Sequence, residues 1–116
     1  MCSRMKTINR TVVTIISKEP YIEWANGFDD DGPKMDPESK HATSILIPEE
    51  YDEYNYEDFL KAHYKYLFEE ELAAWMDDET VWPKARSYEK FKEWFEIVAS
   101  DTVIELGEGP LIIEEF

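Results

Sequence analysis

Apolar and polar positions fall into blocks of different period along this chain. The run RTVVTIIS, Arg10 to Ser17, is β-branched almost throughout, the pattern of a buried strand. EPYIEWANG follows. Pro20 suits the first turn of a helix and Gly27 its C-terminal stop, so a helix of about two turns is predicted. Tyr21, Ile22 and Trp24 supply its packing, with Ala25 four residues after Tyr21. In HATSILIP, Ile45 and Ile47 share one face, Leu46 takes the other, and Pro48 ends the run; this is a second strand.

EEYDEYNYEDFLKAHYKYLFEEELAAWMDDE carries the strongest period. Leu60, Tyr64, Leu67, Phe68 and Trp75 recur at helical spacing and make one apolar stripe. Asn55 is placed to cap, and Glu57 and Asp58 lie near the positive end of the helix dipole. Glu57 with Lys61 and Lys65 with Glu69 form i,i+4 pairs on the flanks. The pattern predicts a helix from about residue 56 to about residue 76. DDETVWPKARS reads as a turn region, with Trp82 held extended by Pro83. SYEKFKEWFEIVAS reads as a second long helix, with Ser87 as its cap and Tyr88, Phe91, Trp94, Phe95 and Val98 as its apolar face. Trp94 is expected among the least exposed residues. TVIEL is a third strand, GEGP turns the chain, and LIIEEF either pairs as a short fourth strand or packs as a tail.

No internal repeat or Gly/Ser linker divides these elements, so residues 1–116 are read as one domain. The expected class is α+β: a small, mainly antiparallel sheet of three or four strands, with two long helices and one short helix packed on it.

The stretch EEELAAWMDDETVWPKARSYEKFKEWFEI, residues 69–97, resembles one found in short acidic bacterial proteins of an uncharacterised family. The resemblance covers about a quarter of the chain. It implies a bacterial source and the same α+β fold, and it brings no catalytic residues with it.

Composition sharpens the class. Hydrophobic residues make up 43% and aromatics 15%, too much for a disordered segment and enough for a core. No apolar run is long enough to span a membrane, and no apolar stretch of signal-peptide type follows MCSRMKTINR. The one cysteine, Cys2, has no partner for an intramolecular disulfide, which fits a reducing compartment; a soluble cytoplasmic protein is expected. Charge is uneven. Residues 1–20 set four Lys/Arg against Glu19, whereas residues 21–83 carry 18 acids against four bases, and the whole chain stands at −15. That field repels nucleic acid and anionic membranes and permits a basic protein partner or cations. It also keeps an aromatic-rich protein soluble.

No cofactor or catalytic apparatus is legible. There is no G-x-S-x-G elbow, no phosphate-binding glycine pattern, no C-x-x-C and no H-E-x-x-H. His63 reads as a flank residue of the long helix and His41 as solvent-facing. One carboxylate stands out: Glu71 falls near the centre of the stripe of Leu60, Tyr64, Leu67, Phe68 and Trp75. A buried glutamate needs a partner or a raised pKa. Either it is a tuned acid or base, or the helix end rotates outward, or it pairs with Lys84 or Arg86 of the next segment; the pair is favoured. The acidic set YDEYNY, with Tyr51, Tyr54 and Tyr56, is the other candidate. Tyrosines among acids suit either recognition of an Arg/Lys-rich partner or a collar over the end of the core. The binding residues indicated are thus Tyr51, Tyr54, Tyr56 and Glu71. The role they imply is non-catalytic binding or regulation, with a small enzyme or metal-dependent protein, its site between helix and sheet, as the alternative.

GFDDDGPKMDPE, residues 27–38, has the acidity of a calcium loop but not its order. With Gly27 at position 1, Asp29, Asp31, Gly32 and Glu38 fall at positions 3, 5, 6 and 12. Gly27 and Met35 offer no side-chain oxygen at positions 1 and 9, Pro37 stands where the exiting helix should begin, and a strand follows. Calorimetric titration with calcium is therefore expected to give no saturable one-to-one site tighter than about 100 μM. Such a site, lost in Asp31→Ala, would overturn the reading.

Overall fold

A computed structural model of the chain describes residues 6–28, 34–36, 38 and 41–114. In chain order these form β1 (Lys6–Thr7), β2 (Arg10–Ser17), α1 (Glu19–Asn26), β3 (Ala42–Pro48), α2 (Tyr56–Trp75), a 3-10 turn at Glu79–Val81, α3 (Tyr88–Trp94), β4 (Phe95–Ser100) and β5 (Ile104–Glu105). The class is α+β. Strand β2 is central in a three-stranded antiparallel sheet of order β3-β2-β4, and β1 with β5 makes a separate two-stranded ribbon.

Strand alternation sorts the sheet into two faces. Thr11, Val13, Ile15 and Ser17 of β2 are buried. Their cross-strand neighbours are Ile47, Ile45 and Thr43 on β3, and Ala99, Ile97 and Phe95 on β4. This face meets α2, whose Leu60, Phe68 and Leu72 are completely buried four residues or eight apart, the spacing of one helix face. Phe68 sits among Phe91, Trp94 and Phe95, at ring-centroid distances of 5.6–5.8 Å. The opposite face of the sheet carries Val12, Thr14, Ile16, Ser44, Leu46, Glu96 and Val98, all exposed or half-exposed.

Aromatic donors join the helices. The Tyr21 hydroxyl donates to the Glu71 carbonyl at 2.6 Å, and Trp75 Nε1 donates to the Ala25 carbonyl at 2.7 Å, so α1 is tied to the last turns of α2 by a bond in each direction. Trp24 Nε1 donates to Val81 O at 3.0 Å, and Trp82 Nε1 to Met76 O at 2.7 Å, which fixes the turn region against both helices. In each case a large ring, buried for Tyr21 and Trp82 and half-buried for Trp24 and Trp75, packs while its one polar atom is satisfied.

Four local features differ from the sequence reading. The last helix stops at Trp94, and Phe95–Ser100 is strand β4, because β2 needs a second neighbour for its backbone groups and FEIVAS alternates correctly for that role. Trp94 is therefore a half-buried boundary residue, while Phe91 at 0% and Phe95 at 2% exposure take the core positions. TVIEL forms only the two-residue β5, paired with β1 outside the main sheet. Leu111, Ile112 and Ile113 make no strand and are 61%, 81% and 86% exposed. The flank carboxylates also turn outward from α2: Glu57 meets Lys92 and Glu69 meets Arg86, both at 3.8 Å. Ser87 does cap α3, accepting from Lys90 N at 3.1 Å.

Phe91→Ala is expected to cost about 3–5 kcal/mol in urea unfolding, the usual range for a fully buried aromatic, and Trp94→Ala less. A larger loss for Trp94 than for Phe91 would contradict the assignment of the helix end.

Candidate functional site

The three tyrosines between β3 and α2 divide between the core and the surface. Tyr51 is half-buried, its ring 5.3 Å from Phe59 and its carbonyl accepting the Thr11 hydroxyl. Tyr56, the first residue of α2, packs half-buried against the core. These two form the collar. Tyr54 is 87% exposed and stands clear of it.

The loop that presents Tyr54 is tied by its own polar side chains. Asn55 Oδ1 accepts from Asp52 N at 2.6 Å, and Asp52 Oδ1 accepts from Tyr54 N at 2.8 Å and Asn55 N at 3.2 Å. Asn55 thus spends its side chain on the loop and gives no side-chain bond to the N-terminus of α2, against the expectation of a cap. A hydrogen bond with Glu53 and the charge of Glu53, then the charges of Asp52 and Asp101, push the Tyr54 phenol above its ordinary pKa. The hydroxyl stands among carboxylates.

Glu71 lies elsewhere, fifteen residues further along α2 than Tyr56, roughly 22 Å at helical rise. It is buried as the stripe implied, with 7% of its side chain exposed. Its partner is neither Lys84 nor Arg86. Glu71 Oε2 is 3.5 Å from Nε2 of His41, whereas Arg86 turns to Glu69 and to the Pro83 carbonyl at 2.7 Å. His41 precedes β3, and its carbonyl accepts from Ser17 N at 2.9 Å, which holds it beside the sheet with half its side chain exposed. Burial, and then the Glu71 carboxylate, raise the Tyr21 phenol well above its ordinary pKa and keep it a donor. His63, by contrast, is an exposed flank residue with its ring 4.2 Å from Phe59.

Ser17, His41 and Glu71 share this corner, and their residue types are those of a nucleophile relay. The geometry is not. Ser17 Oγ is buried and has no hydrogen-bond partner among the described residues, whereas an activated serine needs its base within hydrogen-bond reach. The corner is a close Glu71–His41 contact beside a buried hydroxyl that has no partner among the described residues.

One concavity was not legible in the sequence. A cleft of about 870 Å³ opens beside α1, lined by Ile16, Ser17, Lys18, Glu19, Ile22, Glu23, Asn26 and Glu96. It draws on residues eighty positions apart, so no local pattern announces it. The one available signal was the like-charged i,i+4 pair Glu19 and Glu23, an unfavourable spacing on a short helix.

Among the described residues no group of three or more His, Cys, Asp or Glu is arranged to hold a metal ion. Half of the acidic 27–38 stretch, including Asp29, Asp30 and Asp31, lies outside the described residues. No helix among the described residues is long and apolar enough to cross a membrane. No family model, no curated protein and no solved structure matches the chain.

Glu71→Gln and His41→Ala are each expected to lower the melting temperature. A double-mutant cycle should return a coupling of about 1 kcal/mol or less, since His41 is half-exposed and solvent screens the pair. Unchanged or increased stability in Glu71→Gln would show that the carboxylate gains nothing from the pair.

Proposed function

We propose that this chain is a small non-catalytic binding or regulatory protein, and that it engages a basic protein partner through the acidic loop that carries Tyr54. The observation that carries this reading is the state of that loop: an aromatic residue 87% exposed, on a backbone fixed by the Asp52 and Asn55 side chains. A fixed loop has little conformational entropy left to lose on binding. Tyrosine adds rigid contact area with a polar tip, and the surrounding carboxylates steer a cationic surface toward it. Tyr51 and Tyr56 support the loop from below, and Glu71 belongs to the packing of α2 against His41.

The net charge of −15 supports a basic partner and weighs against nucleic acid or an anionic membrane surface. The lone Cys2 supports a cytoplasmic setting, and the 69–97 stretch supports a bacterial one. A second reading, a small enzyme with its site between helix and sheet, draws on the cleft beside α1, whose carboxylates are the groups an acid–base mechanism would use.

Affinity capture from native cell lysate tests the first reading. A basic protein should be retained at low salt, released at moderate salt, and lost at low salt from Tyr54→Ser. Identical capture by wild type and Tyr54→Ser would remove the loop from the account.

A further inference from the structure

The cleft beside α1 combines an apolar lining with uncompensated negative charge. Ile16 is half-exposed, and Ile22 is 7% exposed yet stands apart from the main core cluster. Glu19 and Glu23 lie one helical turn apart on α1, and Glu96 of β4 adds a third carboxylate to the same lining. All three are exposed, and none of them joins an ion pair among the described residues. The one cation in the lining, Lys18, directs its Nζ to the Lys92 carbonyl at 3.3 Å, toward α3. Three carboxylates and one ammonium leave two net negative charges. The Asn26 side chain is oriented by Met35, donating from Nδ2 to the Met35 carbonyl at 2.9 Å and accepting from the Met35 N–H at Oδ1 at 2.6 Å.

Like charges at i,i+4 destabilise a helix, and a third nearby adds to the repulsion. A cation placed among them relieves it. The volume, about 870 Å³, is in the range of ligand clefts. Arginine and lysine side chains are the natural complement: their aliphatic stems cover apolar surface while the charged head stays with its counter-ions. We propose that the cleft seats an arginine or lysine side chain of the basic partner, its stem along Ile16 and Ile22 and its head among Glu19, Glu23 and Glu96. This rests on the basic-partner reading above and assigns a second contact to it. Ile16 and Glu96 are neighbours across β2 and β4 on the exposed sheet face, so a partner chain reaches the cleft across that face.

Calorimetric titration with an acetylated, amidated peptide of alternating Arg and Ala tests the proposal. Four proteins are compared at low salt: wild type, Tyr54→Ser, the double variant Glu23→Gln with Glu96→Gln, and a charge-matched control, Glu70→Gln with Asp77→Asn. Agmatine, a free guanidinium on an alkyl stem, is titrated in parallel. The cleft variant should lose about five-fold in affinity, within what two exposed ion pairs give, while the control stays at the wild-type value. Circular dichroism melts establish that each variant is folded. If the peptide shows no saturable binding to wild type, the basic-partner reading falls and this proposal with it. If wild type binds but the cleft variant matches the control, the cleft is not the seat, and Tyr54→Ser shows separately whether the loop is. Agmatine binding as tightly as the peptide would make the ligand a free amine and overturn the assignment to a protein side chain.

Discussion

A buried strand leaves no backbone group without a partner, and β2 is the strand on which that requirement falls. Its inward side chains are sealed under α2, and its N–H and C=O groups point along the sheet to either side, where neighbouring strands must supply their partners. Residues Arg10–Pro48 through Ile16–Ala42 pair it with β3, and Val12–Ser100 through Ser17–Phe95 pair it with β4. The second pairing determines what becomes of Phe95–Ser100. Continued as helix, those residues would leave one side of β2 bare. The central strand therefore decides a structure eighty residues away from it, and it fixes how far α3 can run.

The helices answer to a second requirement, that polar atoms on large aromatic rings find acceptors. Tyr21, Trp24, Trp75 and Trp82 each reach a backbone carbonyl on a different segment. Apolar burial alone would let α1 slide on α2. Directional bonds of 2.6–3.0 Å do not, and they give a short helix of eight residues a defined position. The lining of the cleft is set by that position, since Glu19, Ile22, Glu23 and Asn26 are carried by α1.

Much of this was readable from local pattern. Arg10–Ser17, the helix opened by Pro20, the strand ended by Pro48 and the long helix from Tyr56 all carry their own period or stop signal, and each forms where the pattern places it. Phe95–Ser100 does not. Phe91, Trp94, Phe95 and Val98 satisfy a helical period, while Phe95, Ile97 and Ala99 satisfy a strand period; only a distant partner breaks the tie. The site residues follow the same rule. That Glu71 is buried follows from its place on one helix, but its pairing with His41 is a contact across thirty residues, and the nearer arginine in sequence was the wrong guide. Tyr54 was legible as a tyrosine among acids. Its separation from Tyr51 and Tyr56 depends on how one loop turns.

The exposed stretch Leu111–Ile113 has a consequence for how the protein behaves in quantity. Three consecutive apolar residues without a strand partner are a short adhesive segment, able to add to the open edge of another sheet. Glu108 and Glu114 bracket them as gatekeepers, and the strongly negative chain keeps copies apart. That repulsion reaches about 8 Å at physiological ionic strength and only about 3 Å at 1 M salt. The colloidal stability of the protein is thus electrostatic in origin. It falls as salt is added or as pH approaches about 4.4, the isoelectric point of the sequence.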